Sequence, residues 1–276
     1  MKLLLTGASS YLGARLFFDL SKRFDVIGTY SSTWLSGKFI HLDVTDPEEI
    51  VNVVKQNAAD IIIHAANNAS AKWCDAHPVE AVTLNQRSTE RIVREANRIG
   101  AKVIYISSLS ALDRSNVYGK TKYESERIVK QSSKNFVILR SSLVLGFSPN
   151  ATNDRPFNRI LKNLDARTPA VYDTSWKFQP TYIGHISEVI LQVIKLGIWN
   201  QTIPVAVPEL KSRYDVAADI LNPFGITATP ADLHDTTKPQ TGDMSILTSF
   251  HLPTYSYRSI IKHIIGEIRN REKFII

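Results

Sequence analysis

The first thirteen residues constrain the fold more than any other part of the chain. Leu3 to Leu5 form an apolar run with the length of one buried parallel strand. This run stops at Thr6-Gly7, and apolar residues with helical spacing begin near Tyr11. A glycine turn between a buried strand and a helix collects free backbone N–H groups and the positive end of the helix dipole. Such a turn suits a pyrophosphate, although an ordinary strand-to-helix turn would show the same pattern.

The composition bounds the class of protein. A chain of 276 residues, 43% of them hydrophobic, is long enough for one large α/β domain or a main domain with a small annex. The net charge of +7 favours anionic partners, but the basic residues are dispersed, so we expect no nucleic-acid partner. The single cysteine, Cys74, predicts no internal disulfide and a cytoplasmic location. We expect neither a signal peptide nor a membrane-spanning segment.

The end of the second predicted strand, residues 25–30, bears on the choice of cofactor. A carboxylate there would accept hydrogen bonds from the ribose of NAD and repel the 2′-phosphate of NADP. This chain has Tyr30, Ser31 and Ser32 instead. Arg15 could reach the same corner, or it could be a solvated helix residue. NADP is therefore the predicted cofactor, with NAD left open.

The next two strands predict further parts of a crevice. Residues 39–42 read as the third strand, and the following Asp46-Pro47 is a typical helix start. Residues 60–66 read as a buried fourth strand that ends in small side chains, which leave room for a ribose and a nicotinamide. His64 in that strand is more often a packed residue than a catalyst, and without a second ligand nearby we predict no metal site.

A serine, a tyrosine and a lysine form the candidate catalytic set. Residues 102–108 read as the fifth strand, which ends at Ser108. Tyr118 and Lys122 follow with the i,i+4 spacing that places two side chains on one helix face. A nearby lysine cation is expected to lower the pKa of the phenol toward neutral pH, so that the tyrosine can transfer a proton. Ser108 would hold the substrate oxygen. The alternative is a coincidental surface pair.

The segment Thr6-Gly7-x-x-Ser10-x-x-Gly13 resembles the TGxxGxxG loop of extended short-chain dehydrogenase/reductases, with Ser10 in place of the middle glycine. With the later segments 64–66, 84–85, 100–108 and 140–146, the chain resembles the dTDP-4-dehydrorhamnose reductase-like branch of that group. The resemblance implies a Rossmann-type doubly wound parallel sheet with a small C-terminal substrate-binding annex. It also implies a dinucleotide-binding domain over residues 1–147 and a mixed region over 148–276.

The same resemblance implies the site residues. The catalytic residues would be Ser108, Tyr118 and Lys122. The last two are also expected to bind the cofactor, together with Gly7, Ser9, Ser10, Tyr11, Leu12, Gly13, Tyr30, Ser31, Ser32, Asp43, Val44, Ala65, Ala66 and Asn85.

The expected activity is NADP(H)-dependent reduction of a carbonyl, with a nucleotide-linked 4-keto sugar as the substrate. Leu109 and Ser110 stand where dehydratases of the family have Asp-Glu, which disfavours elimination of water. One alternative is a nucleotide-sugar epimerase that retains its cofactor. Another is a non-catalytic regulatory subunit, like a relative in the methionine adenosyltransferase system. A homodimer is left open.

The second half of the chain gives coarser expectations. Apolar spacing predicts helices over 182–197, 212–221 and 256–271, whereas 225–250 is expected to form an irregular cap. In the first half, one continuous helix is expected over 78–99. Four basic residues are candidates for a diphosphate or, equally, for a solvated face: Arg140, Arg155, Arg159 and Lys177.

Overall fold

Seven parallel strands form the central sheet of the protein, and the computed structural model describes residues 1–276. The strands are β1 (Lys2–Thr6), β2 (Asp25–Tyr30), β3 (Phe39–His41), β4 (Ile61–His64), β5 (Lys102–Ser108), β6 (Phe136–Ser141) and β7 (Gln201–Val205). Side by side they run β3, β2, β1, β4, β5, β6, β7. This is the doubly wound order with one added edge strand, so the predicted fold class is confirmed.

Helices and short strands complete the fold. The helices are α1 (Tyr11–Leu20), α2 (Pro47–Asn57), α3 (Ala71–Ala76), α4 (Pro78–Ala81), α5 (Ser88–Ile99), α6 (Val117–Ser132), α7 (Pro156–Ala166), α8 (Ile183–Leu196), α9 (Arg213–Leu221), α10 (Ser245–Ser249) and α11 (Tyr257–Arg269). The short strands are Val144–Leu145, Ala170–Asp173, Lys177–Phe178, Thr181–Tyr182, Lys211–Ser212 and Ala228–Ala231. None of the helices combines the length and the apolar composition needed to cross a membrane.

Alternating side chains of each strand build two apolar cores, one on each face of the sheet. On β1, Leu3 and Leu5 belong to the core beneath α1 and α8, whereas Leu4 belongs to the core beneath α2 and α5. The same alternation separates Ile61 from Ile62 on β4. Because both faces are covered, these strands are continuous apolar runs, which is why they could be predicted from the sequence.

The order of the strands reverses between β1 and β4. From β1 the chain moves outward to β2 and β3, then returns to β4 and continues on the opposite side. Ligands of open α/β sheets bind in the crevice outside the carboxyl ends of the strands at such a point. The candidate cofactor loop after β1 and the small residues after β4 therefore share one crevice.

The segment 78–99 differs from the predicted continuous helix. It begins with α4, passes through a π-helical turn over Val82–Arg87, and continues as α5. The wider turn is the place where Asn85 enters the protein interior, with 1% of its surface exposed. π-Turns inside helices are often found at functional sites.

The C-terminal half contributes to both the sheet and the annex. β7 joins the edge of the sheet, and a separate core of 22 buried residues draws on α7, α9 and α11. The segment 225–250 is less irregular than predicted, because it contains the strand Ala228–Ala231 and the short helix α10. The boundary at residue 147 between a dinucleotide-binding domain and a mixed region stays a prediction.

Candidate active site

A cavity of about 500 Å³ lies at the carboxyl ends of the strands. Seven of the predicted site residues line it: Ser10, Tyr11, Leu12, Ala65, Ser108, Tyr118 and Lys122. The cavity thus brings together the turn after β1, the end of β4 and the candidate catalytic set, which are far apart in the sequence.

Other predicted cofactor residues do not line this cavity. They are Gly7, Ser9, Gly13, Tyr30, Ser31, Ser32, Asp43, Val44, Ala66 and Asn85. The carboxylate of Asp43 accepts hydrogen bonds from the N–H and the hydroxyl of Thr45, so in this structure it acts as a turn residue. The assignment of all ten residues to a cofactor remains a prediction.

Two glycines allow the close packing of the turn after β1. Gly7 has φ +70°, a backbone conformation that residues with a side chain rarely adopt. A Cβ atom on Gly13 would lie 2.0 Å from the carbonyl oxygen of Gly7. The first turn of α1 can therefore lie directly on the end of β1 only because residue 13 has no side chain.

The N-terminus of α1 presents free donors to the cavity. The hydroxyl oxygen of Ser10 accepts a hydrogen bond from the N–H of Gly13 at 3.0 Å, so Ser10 caps the helix. The N–H groups of Tyr11 and Leu12 have no partner in the protein, and both residues line the cavity. These donors and the helix dipole fit an anionic group such as the pyrophosphate of a dinucleotide.

Arg15 does not reach the corner where a 2′-phosphate would lie. Its guanidinium is buried and pairs with Asp19 and Glu267, both at 2.7 Å. Burial acts to lower the pKa of Arg15, but these two carboxylates raise it above its usual value. Arg15 therefore matches neither of the two alternatives, a cofactor contact or a solvated helix residue, because α1 turns this buried side chain toward α11.

Tyr118 and Lys122 lie together in the cavity wall, on α6. The Lys122 ammonium is 6.0 Å from the centre of the Tyr118 ring, and it donates hydrogen bonds to the Tyr105 hydroxyl (3.2 Å) and the Ile106 carbonyl (2.9 Å). The lysine is therefore held behind the phenol by β5.

The pKa shifts at this site differ from the expectation. Burial raises the pKa of Tyr118 to about 12, and the nearby Ser108 hydroxyl acts in the opposite direction. Burial also lowers the pKa of Lys122 to about 7, against the carboxylate of Glu126. The predicted lowering of the phenol pKa by Lys122 is wrong for this structure, because burial of the phenol dominates and raises its pKa. Tyr118 carries its proton at neutral pH.

Ser108 lies at the end of β5, beside Tyr118. Its hydroxyl caps a 3-10 turn over Leu109–Leu112 by accepting a hydrogen bond from the Ser110 N–H at 3.1 Å. Asn116 then caps α6 through the Gly119 N–H. These two caps make the connection between Ser108 and Tyr118 compact enough to bring both hydroxyls to one cavity.

Asn85 acts on the loop that follows β4. Its side-chain oxygen accepts a hydrogen bond from the Asn68 N–H (2.8 Å), and its amide donates to the Asn68 carbonyl (3.0 Å). Because Asn67 lines the cavity next to Asn68, Asn85 shapes the cavity wall from behind.

His64 is a packed residue, in agreement with the simpler interpretation of the sequence. Its ring nitrogens pair with the hydroxyls of Thr6 (2.7 Å) and Thr89 (3.2 Å). Burial and the nearby Lys122 lower the pKa of His64 to about 3. The ring joins the end of β1 to α5 in its neutral form.

We expect His64 to make folding sensitive to acid. Between about pH 6.5 and pH 3 the unfolded chain binds a proton at this residue and the folded protein does not, so stability falls as the pH falls. Where the two states differ by one whole proton, the free energy of unfolding falls by about 1.4 kcal/mol for each unit by which the pH falls. Urea unfolding at pH 7, 6 and 5 should show a shallower pH dependence for His64→Asn than for the unmodified protein. Equal slopes would contradict the assignment.

Besides Lys122, three basic residues at the cavity have no carboxylate within ion-pairing distance: Arg155, Arg213 and Lys238. Arg213 was not predicted from the sequence; its guanidinium lies 4.9 Å from the centre of the Trp176 ring, which also lines the cavity. No local pattern distinguishes it from other basic residues at helix starts.

The other predicted diphosphate ligands have carboxylate partners. Arg140 is bound by Glu126, Arg159 by Asp154, and Lys177 by Asp215. None of these three cations lines the cavity that contains Ser108, Tyr118 and Lys122. Of the four residues proposed from the sequence, Arg155 is therefore the one that is placed and free to bind a diphosphate.

The doubly wound sheet, the glycine turn at its switch point and the shared cavity of Ser108, Tyr118 and Lys122 define the architecture of an extended short-chain dehydrogenase/reductase. Residues 1–245 match the family model described as the RmlD substrate binding domain. The chain belongs to this family, which confirms the resemblance seen in its sequence.

Relatives of two kinds are similar to this chain. The dTDP-4-dehydrorhamnose reductase of Aggregatibacter actinomycetemcomitans is 26% identical over 219 residues, which are 73% of this chain and 70% of that protein. The methionine adenosyltransferase 2 subunit beta of Xenopus tropicalis is 24% identical over 216 residues, which are 72% of this chain. The matched part spans 64% of that subunit.

Solved structures agree with the fold. The dTDP-4-dehydrorhamnose reductase from Bacillus anthracis, in complex with NADP, aligns with a TM-score of 0.81 at 20% identity and covers 96% of this chain and 99% of its own. The UDP-glucose 4-epimerase from Thermotoga maritima aligns with a TM-score of 0.83 at 14% identity, over 99% and 100% of the two chains.

Proposed function

We propose that this protein is an NADP(H)-dependent reductase of a carbonyl in a nucleotide-linked 4-keto sugar. The observation that carries the proposal is that Ser108, Tyr118 and Lys122 line the same cavity as Tyr11 and Leu12, whose N–H groups are free. The dTDP-4-dehydrorhamnose reductases among the relatives support the substrate class, and the NADP complex of the Bacillus anthracis structure supports the cofactor.

Tyr118 is the proton donor in this proposal. Reduction of a carbonyl requires a proton at the oxygen, and a phenol with a pKa of about 12 is protonated at neutral pH. The Ser108 hydroxyl holds the same oxygen beside the phenol. Lys122 lies behind the ring and supplies a cationic or neutral donor, depending on pH, because its pKa is about 7.

The turn after β1 would hold the dinucleotide. The N–H groups of Tyr11 and Leu12 and the hydroxyl of Ser10 donate to its pyrophosphate, and Ala65 leaves room for its ribose and nicotinamide. When bound, the nicotinamide supplies the hydride. No acidic side chain follows β2 at Tyr30, Ser31 or Ser32, which supports NADP over NAD.

Arg155 is the proposed ligand of the substrate diphosphate, and we expect Arg155→Ala to weaken substrate binding. A hydrogen bond to a charged group contributes about 1.5–3 kcal/mol, so KM for the nucleotide-linked substrate should rise about 10- to 100-fold. Steady-state kinetics at saturating NADPH would measure this change. Arg127→Ala is the matched control, because Arg127 lies on the outer surface of α6 and pairs with Glu124. An unchanged KM, or a rise confined to the NADPH dissociation constant, would contradict the assignment.

The activity can be tested directly. Purified protein is mixed with NADPH and a nucleotide-linked 4-keto sugar, and the loss of NADPH absorbance is followed together with the product. Stoichiometric NADPH consumption supports a reductase. Isomerisation of a nucleotide sugar without net NADPH consumption would indicate an epimerase instead.

A non-catalytic role is the second candidate, since methionine adenosyltransferase 2 subunits beta are among the relatives. Cofactor binding without turnover of any nucleotide-linked carbonyl would favour it.

The buried Cys74 thiol and the absence of a second cysteine support a reducing, cytoplasmic setting for either role. Size-exclusion chromatography would decide between a monomer and a homodimer.

A further inference from the structure

The Glu267 carboxylate on α11 joins three separate elements. One oxygen forms an ion pair with the Arg15 guanidinium (2.7 Å) and accepts a hydrogen bond from the Tyr182 hydroxyl (2.5 Å), and the other accepts from the Phe147 N–H (2.9 Å). The side chain of Glu267 is 9% exposed. A carboxylate that is buried and fully hydrogen-bonded fixes its partners strongly, because each would otherwise lose a charged partner in a dry environment.

The loop that Glu267 holds, residues 146–150, in turn holds the candidate cofactor loop. The Tyr11 hydroxyl donates to the Gly146 carbonyl (2.5 Å). The Ser148 hydroxyl donates to the Tyr11 carbonyl (2.6 Å), and the Asn150 amide donates to the Ser9 carbonyl (2.6 Å). All three of these hydrogen bonds join the 146–150 loop to residues 9–11.

These contacts act on the donors that face the cavity. A trans peptide group is planar, so its N–H points opposite to its C=O. The Ser148 hydroxyl fixes the Tyr11 carbonyl and thereby directs the Leu12 N–H to the other side, where Leu12 lines the cavity. The orientation of an anion-binding N–H group is thus set from a loop more than 130 positions further along the chain.

We propose that Glu267 is a positioning residue for dinucleotide binding and that α11 supports the cofactor turn from outside the cavity. Glu267 holds the 146–150 loop, and that loop holds the N–H donors of the 9–12 turn in the orientation that binds a pyrophosphate. α11 lies beyond residues 1–245 that match the family model. The inference rests on the proposed function, because it requires that the turn bind a dinucleotide.

The test measures NADPH affinity of the full chain by titration of nicotinamide fluorescence, with thermal unfolding recorded in parallel. For Glu267→Gln we expect the dissociation constant of NADPH to rise about tenfold. Turnover at saturating NADPH should stay within about threefold of that of the unmodified protein, because Glu267 does not touch the catalytic set. A purely structural role would lower the melting temperature and leave the dissociation constant unchanged.

Two further variants sharpen the test. Ser148→Ala removes the bond to the Tyr11 carbonyl without touching Glu267, and it should raise the same dissociation constant. The variant with both substitutions should bind NADPH no more weakly than whichever single variant binds it more weakly. Both substitutions act through the same contacts between the 146–150 loop and the 9–12 turn. Glu188→Gln is the matched control: Glu188 binds the Tyr255 hydroxyl and has no bond to residues 146–150. It should lower stability only.

The outcomes separate this inference from the proposed function. If the unmodified protein binds no NADPH, both are overturned. If it binds NADPH and Ser148→Ala binds equally well, the positioning role is overturned while the reductase proposal stands. The Ser148→Ala result decides the matter even if Glu267→Gln fails to fold.

Discussion

Replacement of Tyr118 by phenylalanine should lower turnover by about 10²- to 10⁴-fold, the usual contribution of a positioned general acid. The ring keeps its packing, and only the hydroxyl that shares the cavity with Ser108 is removed. The rate of NADPH oxidation with a nucleotide-linked 4-keto sugar is the measurement. The effect should appear in kcat, because the missing proton is needed in the transition state.

NADPH affinity provides the control for Tyr118→Phe. The free N–H donors for the pyrophosphate lie on α1, so the dissociation constant should change by less than about threefold. Ser108→Ala should show a smaller loss of kcat, since it removes a positioning hydroxyl rather than the proton donor. If Tyr118→Phe keeps near-normal turnover, another group donates the proton and the catalytic assignment is wrong.

Gly13→Ala should abolish dinucleotide binding and destabilise the protein by about 1–3 kcal/mol, the typical effect of an overpacked site. The added Cβ would lie 2.0 Å from the Gly7 oxygen and 2.8 Å from the Ala8 Cα, and backbone atoms cannot move aside as a flexible side chain can. α1 would have to lift from the end of β1. Urea unfolding and NADPH titration measure the two consequences.

Gly266→Ala is the matched control, because it makes the same chemical change in another helix. A Cβ at Gly266 meets no atom within 4 Å. Since alanine favours a helix over glycine by about 0.8–1.0 kcal/mol, this variant should be slightly more stable and should bind NADPH normally. If both glycine variants behaved alike, the close approach at Gly13 would not matter.

The fold class could be predicted from the sequence, and the catalytic set proposed from it, because the signals for both are local. Strand β1 is an uninterrupted apolar run, the glycine turn follows it directly, and Tyr118 and Lys122 have helical spacing. The family resemblance pointed to Asn85, but the π-turn that carries this residue inward was not predicted. Such patterns reflect the spacing of side chains within one strand or helix, and this spacing can be seen in a single sequence.

The charges of the site were predicted less well, because a charge acts through its surroundings. Lys122 was expected to lower the pKa of Tyr118, but burial of both groups raises the pKa of the phenol and lowers that of the lysine. Among the basic residues, the sequence did not distinguish the free Arg155 from Arg140, which pairs with Glu126. Burial and pairing depend on which elements pack together.

The sequence by itself determined the strand-turn-helix unit at the start of the chain and the doubly wound class, and it predicted that Tyr118 and Lys122 share one helix. Only the tertiary structure decided that Arg15 turns to Glu267 and that the loop after Gly146 holds Tyr11, a residue 135 positions away. The physical reason is range. Hydrophobic period and turn chemistry act over a few residues, whereas ion pairs and carbonyl contacts between distant segments exist only after the two cores have formed.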